Sequence, residues 1–188
     1  MSIARRKAAQ AERGVAKGKD SPHDALILLA AGHNEIDKLA QEFARRRRSS
    51  DTAEKGKLAL RLCHALARYA QIRKQVFYPA ADAVLEDDGK ELLAKLRVEQ
   101  DELMHLVARI ESMPADSADF APAVLVLAER AAQHARREEG ELFASLRHSR
   151  LDLLGTGERM AALEAELATQ PIGRRQIHRA RKVMEGRG

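Results

Sequence analysis

Apolar residues recur every three or four positions over four long stretches of this chain, and that period constrains the fold more than any other feature. A period near 3.6 suits a helix with one buried face, whereas a half-buried strand alternates every second residue. β-Branched residues are scattered, and the compact apolar run at 124–127 lies inside a longer helical pattern.

The first stretch opens at Ser21-Pro22-His23-Asp24. Ser21 can cap, Pro22 suits the first helical position, and Asp24 favours the positive end of the helix dipole. Its stripe is Leu26, Leu29, Ala30, His33, Ile36, Ala40 and Phe43, closed by Arg45-Arg46-Arg47-Arg48, cations that complement the negative helix end. The second stretch runs from Thr52 to Tyr78 and is expected to stop at Pro79, with Leu58, Leu62, Leu66, Tyr69, Arg73 and Val76 inward. The third runs from Lys90 to Ser112, with Leu93, Leu96, Gln100, Leu103, Val107 and Ile110. The fourth runs from Asp119 to Leu146, with Phe120, Val124, Leu127, Ala131, His134, Glu138 and Leu142. A shorter amphipathic stretch, Arg159 to Ala168, follows Gly155 and Gly157. Helices of about 24 residues, each about 36 Å long, with short connections predict an all-α, antiparallel up-down four-helix bundle with a short extra C-terminal helix.

Charge divides the chain further. Residues 1–20 and 171–188 each carry six Lys or Arg, which leaves 21 basic and 25 acidic side chains between them, a net −4. The expected organisation is a basic tail at 1–20, the bundle at 21–150, the short helix at 151–170 and a second basic tail at 171–188. Such tails can hold nucleic acid or an anionic membrane through counterion release. Neither carries an aromatic residue for base stacking, so solvated ends are the simpler expectation. No run of eighteen apolar residues occurs, which argues against a membrane-spanning helix. The start has no apolar core of a secretory signal, and the single Cys63 excludes an intramolecular disulfide and a multi-Cys zinc site. A cytoplasmic protein is expected.

Each inward stripe contains polar groups where a plain core would have Leu: His33, then Tyr69 and Arg73, then Gln100, then His134 and Glu138. Leaving them unpaired in a core would cost several kcal/mol. A metal ion or a closed hydrogen-bond network must satisfy them.

The segments DALILLAAGHNEIDKL, QVFYPA, ARIESM and QHARREEGELF resemble the bacterial hemerythrin-like family, the HHE cation-binding domain. The likeness spans about residues 24–168, including ERMAALEAEL. It implies a four-helix bundle holding two bridged irons, with oxygen binding, iron or oxygen sensing, and nitric oxide or peroxide handling among the family's activities. The family pattern carries over to His33 on the first helix and to His134 with Glu138 on the fourth. Glu139 is the alternative carboxylate. Glu138 is preferred because a spacing of four turns about 40° from His134, and a spacing of five about 140°. On the other helices the histidine positions fall on Tyr69 and Gln100, and the bridging carboxylate falls on Arg73, so three of the six expected ligands are missing. His64 and His105 lie five residues from the required positions, on another face.

Arg73 weighs most. A bridging carboxylate is an anion between two cations, whereas a guanidinium is a permanent cation with no lone pair to donate. At about 4 Å, like unit charges repel by roughly 4 kcal/mol at an effective dielectric of 20. Arg73 is expected to pair bidentately with Glu138 or Glu139 in place of the metal, with His33, Tyr69, Gln100 and His134 completing the network. The function expected is a non-enzymatic binding or regulatory bundle without a cofactor, whose partner is a protein or small ligand. The alternative is an atypical iron site, one ion rather than two, held by His33, His134, Glu138 and a Tyr69 phenolate. No nucleophile-base set and no phosphate-binding glycine loop is present.

Overall fold

The computed structural model describes residues 23–169. The expectations for Ser21, Pro22, residue 170 and the two basic tails lie outside these residues.

Among the described residues there are seven α-helical segments: α1 (Ala25–Arg46), α2 (Thr52–Ile72), α3 (Tyr78–Asp82), α4 (Asp87–Glu111), α5 (Phe120–Arg137), α6 (Phe143–Arg147) and α7 (Leu153–Thr169). A π turn at Arg73–Phe77 joins α2 to α3, and a second at Glu138–Leu142 joins α5 to α6. Each of these pairs is one long bundle helix with a widened turn in it. α1 packs on α2 and α5, and α4 packs on the same two, which closes a ring of four. The protein is an all-α, antiparallel four-helix bundle, with α7 lying over α1 and α2.

Local chemistry explains most boundaries. Asp24 caps α1, its Oδ1 accepting from Leu26 N at 2.8 Å. Asp51 caps α2 by accepting from Glu54 N at 2.9 Å. α4 begins three residues before the expected Lys90, because Asp87 and Asp88 extend it into a first turn that favours anions. Leu29, Leu58, Leu62, Leu93, Leu96, Val124 and Leu127 are fully buried, each contributing about 1.5–3 kcal/mol. Phe43 meets Phe120 edge to face at 6.4 Å.

Several expectations are corrected. The second bundle helix does not stop at Pro79 but continues to Asp82. Proline lacks an N–H, and the helix can carry it just beyond the π turn, where Tyr78 N reaches back five residues to the Arg73 carbonyl. The extra residue in that turn also moves the buried face. Val76 is only half-buried, while Phe77 and Tyr78 are inaccessible. The fourth helix is interrupted in the same way, where Phe143 N reaches the Glu138 carbonyl. In α1, Leu39 is buried and Ala30 and Ala40 are only half-buried, so the stripe leans toward its larger side chains.

The last helix starts at Leu153, six residues before the expected Arg159, with Asp152 Oδ1 accepting from Gly155 N at 2.9 Å. Gly155 and Gly157 therefore lie inside the helix. A Cβ on Gly157 would fall 1.7 Å from the His23 carbonyl oxygen. This glycine is an approach point for the chain entering α1, not a breaker. Among the described residues, no helix is long and apolar enough to cross a membrane.

A buried ion-pair network at the bundle centre

Both π turns begin at a charged residue that faces the core, and the two residues meet. Arg73 opens the first and Glu138 opens the second. Arg73 is 4% exposed and Glu138 is 0% exposed. Arg73 Nε donates to Glu138 Oε2 at 3.0 Å, and Arg73 Nη2 lies 2.6 Å from His33 Nε2. Glu138 Oε2 is itself 2.8 Å from the same imidazole nitrogen. Two acceptors this close repel each other unless a positive group lies on both, and the guanidinium supplies it. His33 Nδ1 is 2.5 Å from Glu139 Oε1. The tautomer that leaves no donor facing a donor carries its proton on Nδ1, donates to Glu139 and accepts from Arg73. Phe143 stacks on the His33 ring at 6.2 Å and fixes its plane.

A second wing runs through His134. Tyr78 Oη lies 3.3 Å from His134 Nε2, and His134 Nδ1 lies 3.3 Å from Glu99 Oε2. Arg137 pairs with the other Glu99 oxygen. Burial lowers the affinity of His134 for a second proton below the ordinary imidazole range. The neutral ring then accepts from the phenol and donates to Glu99. Burial, with Glu138 nearby, pushes the Tyr78 phenol far up, so it stays protonated.

Electrostatics in the centre follow from Arg73. Burial alone would raise the Glu138 carboxyl, but the Arg73 guanidinium beside it overrides that and holds the group at about 2. Burial opposes charge on Arg73 too, and Glu138 more than compensates. Glu138 Oε1 and Gln100 Oε1 are buried without a hydrogen-bond partner among the described residues.

The expected site residues divide into two groups. The structure brings Arg73, His33, Glu138 and Glu139 together and places His134 in the adjoining wing. The guanidinium does not grip one carboxylate bidentately, because its fork is divided between Glu138 and His33. Tyr69 and Gln100 do not complete this network. Tyr69 Oη donates to Glu35 Oε2 at 3.0 Å under the Arg68 guanidinium, and Arg68 also reaches Glu164 of α7 at 3.6 Å. Gln100 Nε2 donates to the Ala70 carbonyl at 3.3 Å. Burial with Glu164 and Glu35 pushes the Tyr69 phenol up to about 12. The partners of His134 are Tyr78 and Glu99, not the Glu138 one turn on. Tyr78 and Glu99 were not expected. Tyr78 lies five residues after Arg73, off-face for a regular helix, and only a π turn brings it inward.

Outside the centre, His64 is partly exposed beside Glu111 at 4.0 Å, and His105 is exposed. Cys63 is fully buried, and burial pushes its thiol up to about 12, so it is inert. A surface groove of about 570 Å³ lies between α4 and the second π turn. Its two cations are already paired, Lys95 with Glu91 and Arg137 with Glu99. Among the described residues, no three His, Cys, Asp or Glu side chains are grouped to hold a metal ion.

The fold has a solved counterpart. The crystal structure of a hemerythrin HHE cation-binding domain-containing protein from Mycobacterium kansasii superposes with a TM-score of 0.64 at 20% identity, over 77% of this chain and 86% of that one. No curated protein matches the chain. The hemerythrin HHE cation-binding domain family matches residues 24–146, which include α1 through most of α6 and every member of the central network. On that match, the chain belongs to the hemerythrin HHE family.

Proposed function

We propose that this chain is a non-enzymatic hemerythrin-like bundle in which the Arg73 guanidinium takes the place of the metals, and that it acts in the cytoplasm by binding a protein or small ligand in a regulatory role. The observation that carries the reading is the divided fork of Arg73, buried between His33 and Glu138. The residues at the site do not fit a di-iron centre. The bridging-carboxylate position holds a cation, and the helix-three histidine position holds Gln100. Both ring nitrogens of His33 and of His134 are already engaged. A metal ion set among these donors would lie within a few ångströms of a permanent positive charge, a repulsion of roughly 4 kcal/mol per unit of metal charge at about 4 Å and an effective dielectric of 20. The network also satisfies His33, Arg73, His134 and Glu138, apart from one oxygen of Glu138, while Tyr69 and the Gln100 amide nitrogen find partners outside it in Glu35 and the Ala70 carbonyl.

The test is metal analysis of the full chain purified without a histidine tag, with thermal melts before and after ferrous iron is added. The reading expects substoichiometric metal and an unchanged melting temperature. Stoichiometric, tightly held iron overturns it. A visible absorption band from iron bound by Tyr69 would overturn it in favour of a single-iron site for oxygen, nitric oxide or peroxide chemistry.

A further inference from the structure

Arg73 does not occupy the centre as a mere positive charge. Two of its nitrogens, Nε and Nη2, meet two different acceptors, Glu138 Oε2 at 3.0 Å and His33 Nε2 at 2.6 Å. Those acceptors lie 2.8 Å apart, close enough for one planar fork to reach both and to offset their mutual repulsion. His33 is held from behind by Glu139 and stacked by Phe143. Glu138 is fully buried at the start of a π turn. The receptor for the fork is therefore built by residues other than Arg73, on α1 and on the second π turn.

Resting on the reading above, we propose that His33 and Glu138 form a guanidinium-binding site that recognises a planar, two-pronged cation, and that the site keeps this preference when the cation is not covalently attached. Truncating Arg73 to alanine removes the atoms of an N-ethylguanidinium ion, from Cγ outward. It frees one imidazole nitrogen and one carboxylate. That is a fork receptor, but it is too few donors for a tetrahedral or octahedral metal, because His134 stays engaged by Tyr78 and Glu99. A compact ammonium supplies the charge but cannot span both acceptors in one plane. Glu139 is 44% exposed at its side chain and a Cβ on Gly140 would meet nothing within 4 Å, so the network opens to solvent at Glu139, the neighbour that holds the buried His33.

The experiment compares thermal melts of the wild-type chain, Arg73→Ala and Arg73→Ala/Glu138→Gln. The probes are guanidinium and N-ethylguanidinium chloride at low-millimolar concentration, with sodium, ethylammonium, zinc and ferrous salts as controls. The proposal expects a saturable rise in melting temperature for Arg73→Ala with N-ethylguanidinium, smaller with guanidinium. Wild type and the double variant should show none. If Arg73→Ala is unfolded, N-ethylguanidinium should restore its helical circular dichroism. No effect, an equal effect in all three chains, or a larger effect of zinc or iron than of N-ethylguanidinium overturns the proposal. Arg73→Lys provides a second arm. It should melt well below wild type, and a wild-type melt would show that charge alone suffices and overturn the recognition of shape. Metal analysis of wild type addresses the metal-free reading separately, so the two can fail independently.

Discussion

Glu138 keeps its charge in a place where burial alone would remove it. Its carboxyl is held at about 2 against an ordinary 4.5, chiefly by Arg73. A folded-state value below the unfolded one stabilises fully above the unfolded value, and that contribution is lost as pH falls through the folded one. Wild-type stability is therefore expected to fall between about pH 4.5 and pH 2 through this group, and Glu138→Gln should remove that component from a urea-melt series across the window. At neutral pH, Arg73→Ala and Glu138→Gln should each cost about 3–5 kcal/mol, because each strands a buried partner. Their costs should not add in the double variant, since both break one interaction. The sequence made Arg73, Glu138, His33 and His134 legible, because each interrupts an apolar stripe. It did not separate Tyr69 from the network. Helical period assigns a residue to a face, and a long side chain at the edge of that face can turn either way. Here Gly32 leaves room for the Tyr69 ring, which occupies the place of a Cβ at 2.4 Å, and Glu35 draws the hydroxyl outward.

At the scale of elements, the four helices were readable from period and capping alone, while the two π turns were not. A π turn leaves no composition signal in one sequence. It appears as a one-residue slip in which positions are buried, as at Phe77 and Tyr78 in place of Val76. The slip is what carries Tyr78 to His134. α7 was misread at its start because glycine lowers helix propensity, and that local cost was outweighed by the close approach at Gly157. Gly157→Ala should cost about 1–3 kcal/mol, since the obstacle is the His23 backbone and cannot swing aside. Limited proteolysis should then cut near α7 before the bundle. Gly140→Ala, with open space at its Cβ, should change stability by less than about 0.5 kcal/mol in the same melts.

For the whole molecule, the ring of four helices closes on a centre that is charged but internally neutralised. Arg73 and Glu138 cancel at the core, His33 leads to Glu139 at the surface, and His134 leads to Glu99 and Arg137. Prolonged dialysis against a strong chelator should therefore leave both the melting temperature and the helical signal unchanged. Calorimetry before and after treatment would reveal any dependence. Because the central cation is a side chain of the second bundle helix, it is delivered by translation, one per polypeptide. On the proposed metal-free reading, maturation of the core would need no loading step, and its completion would not vary with the iron supply of the cell.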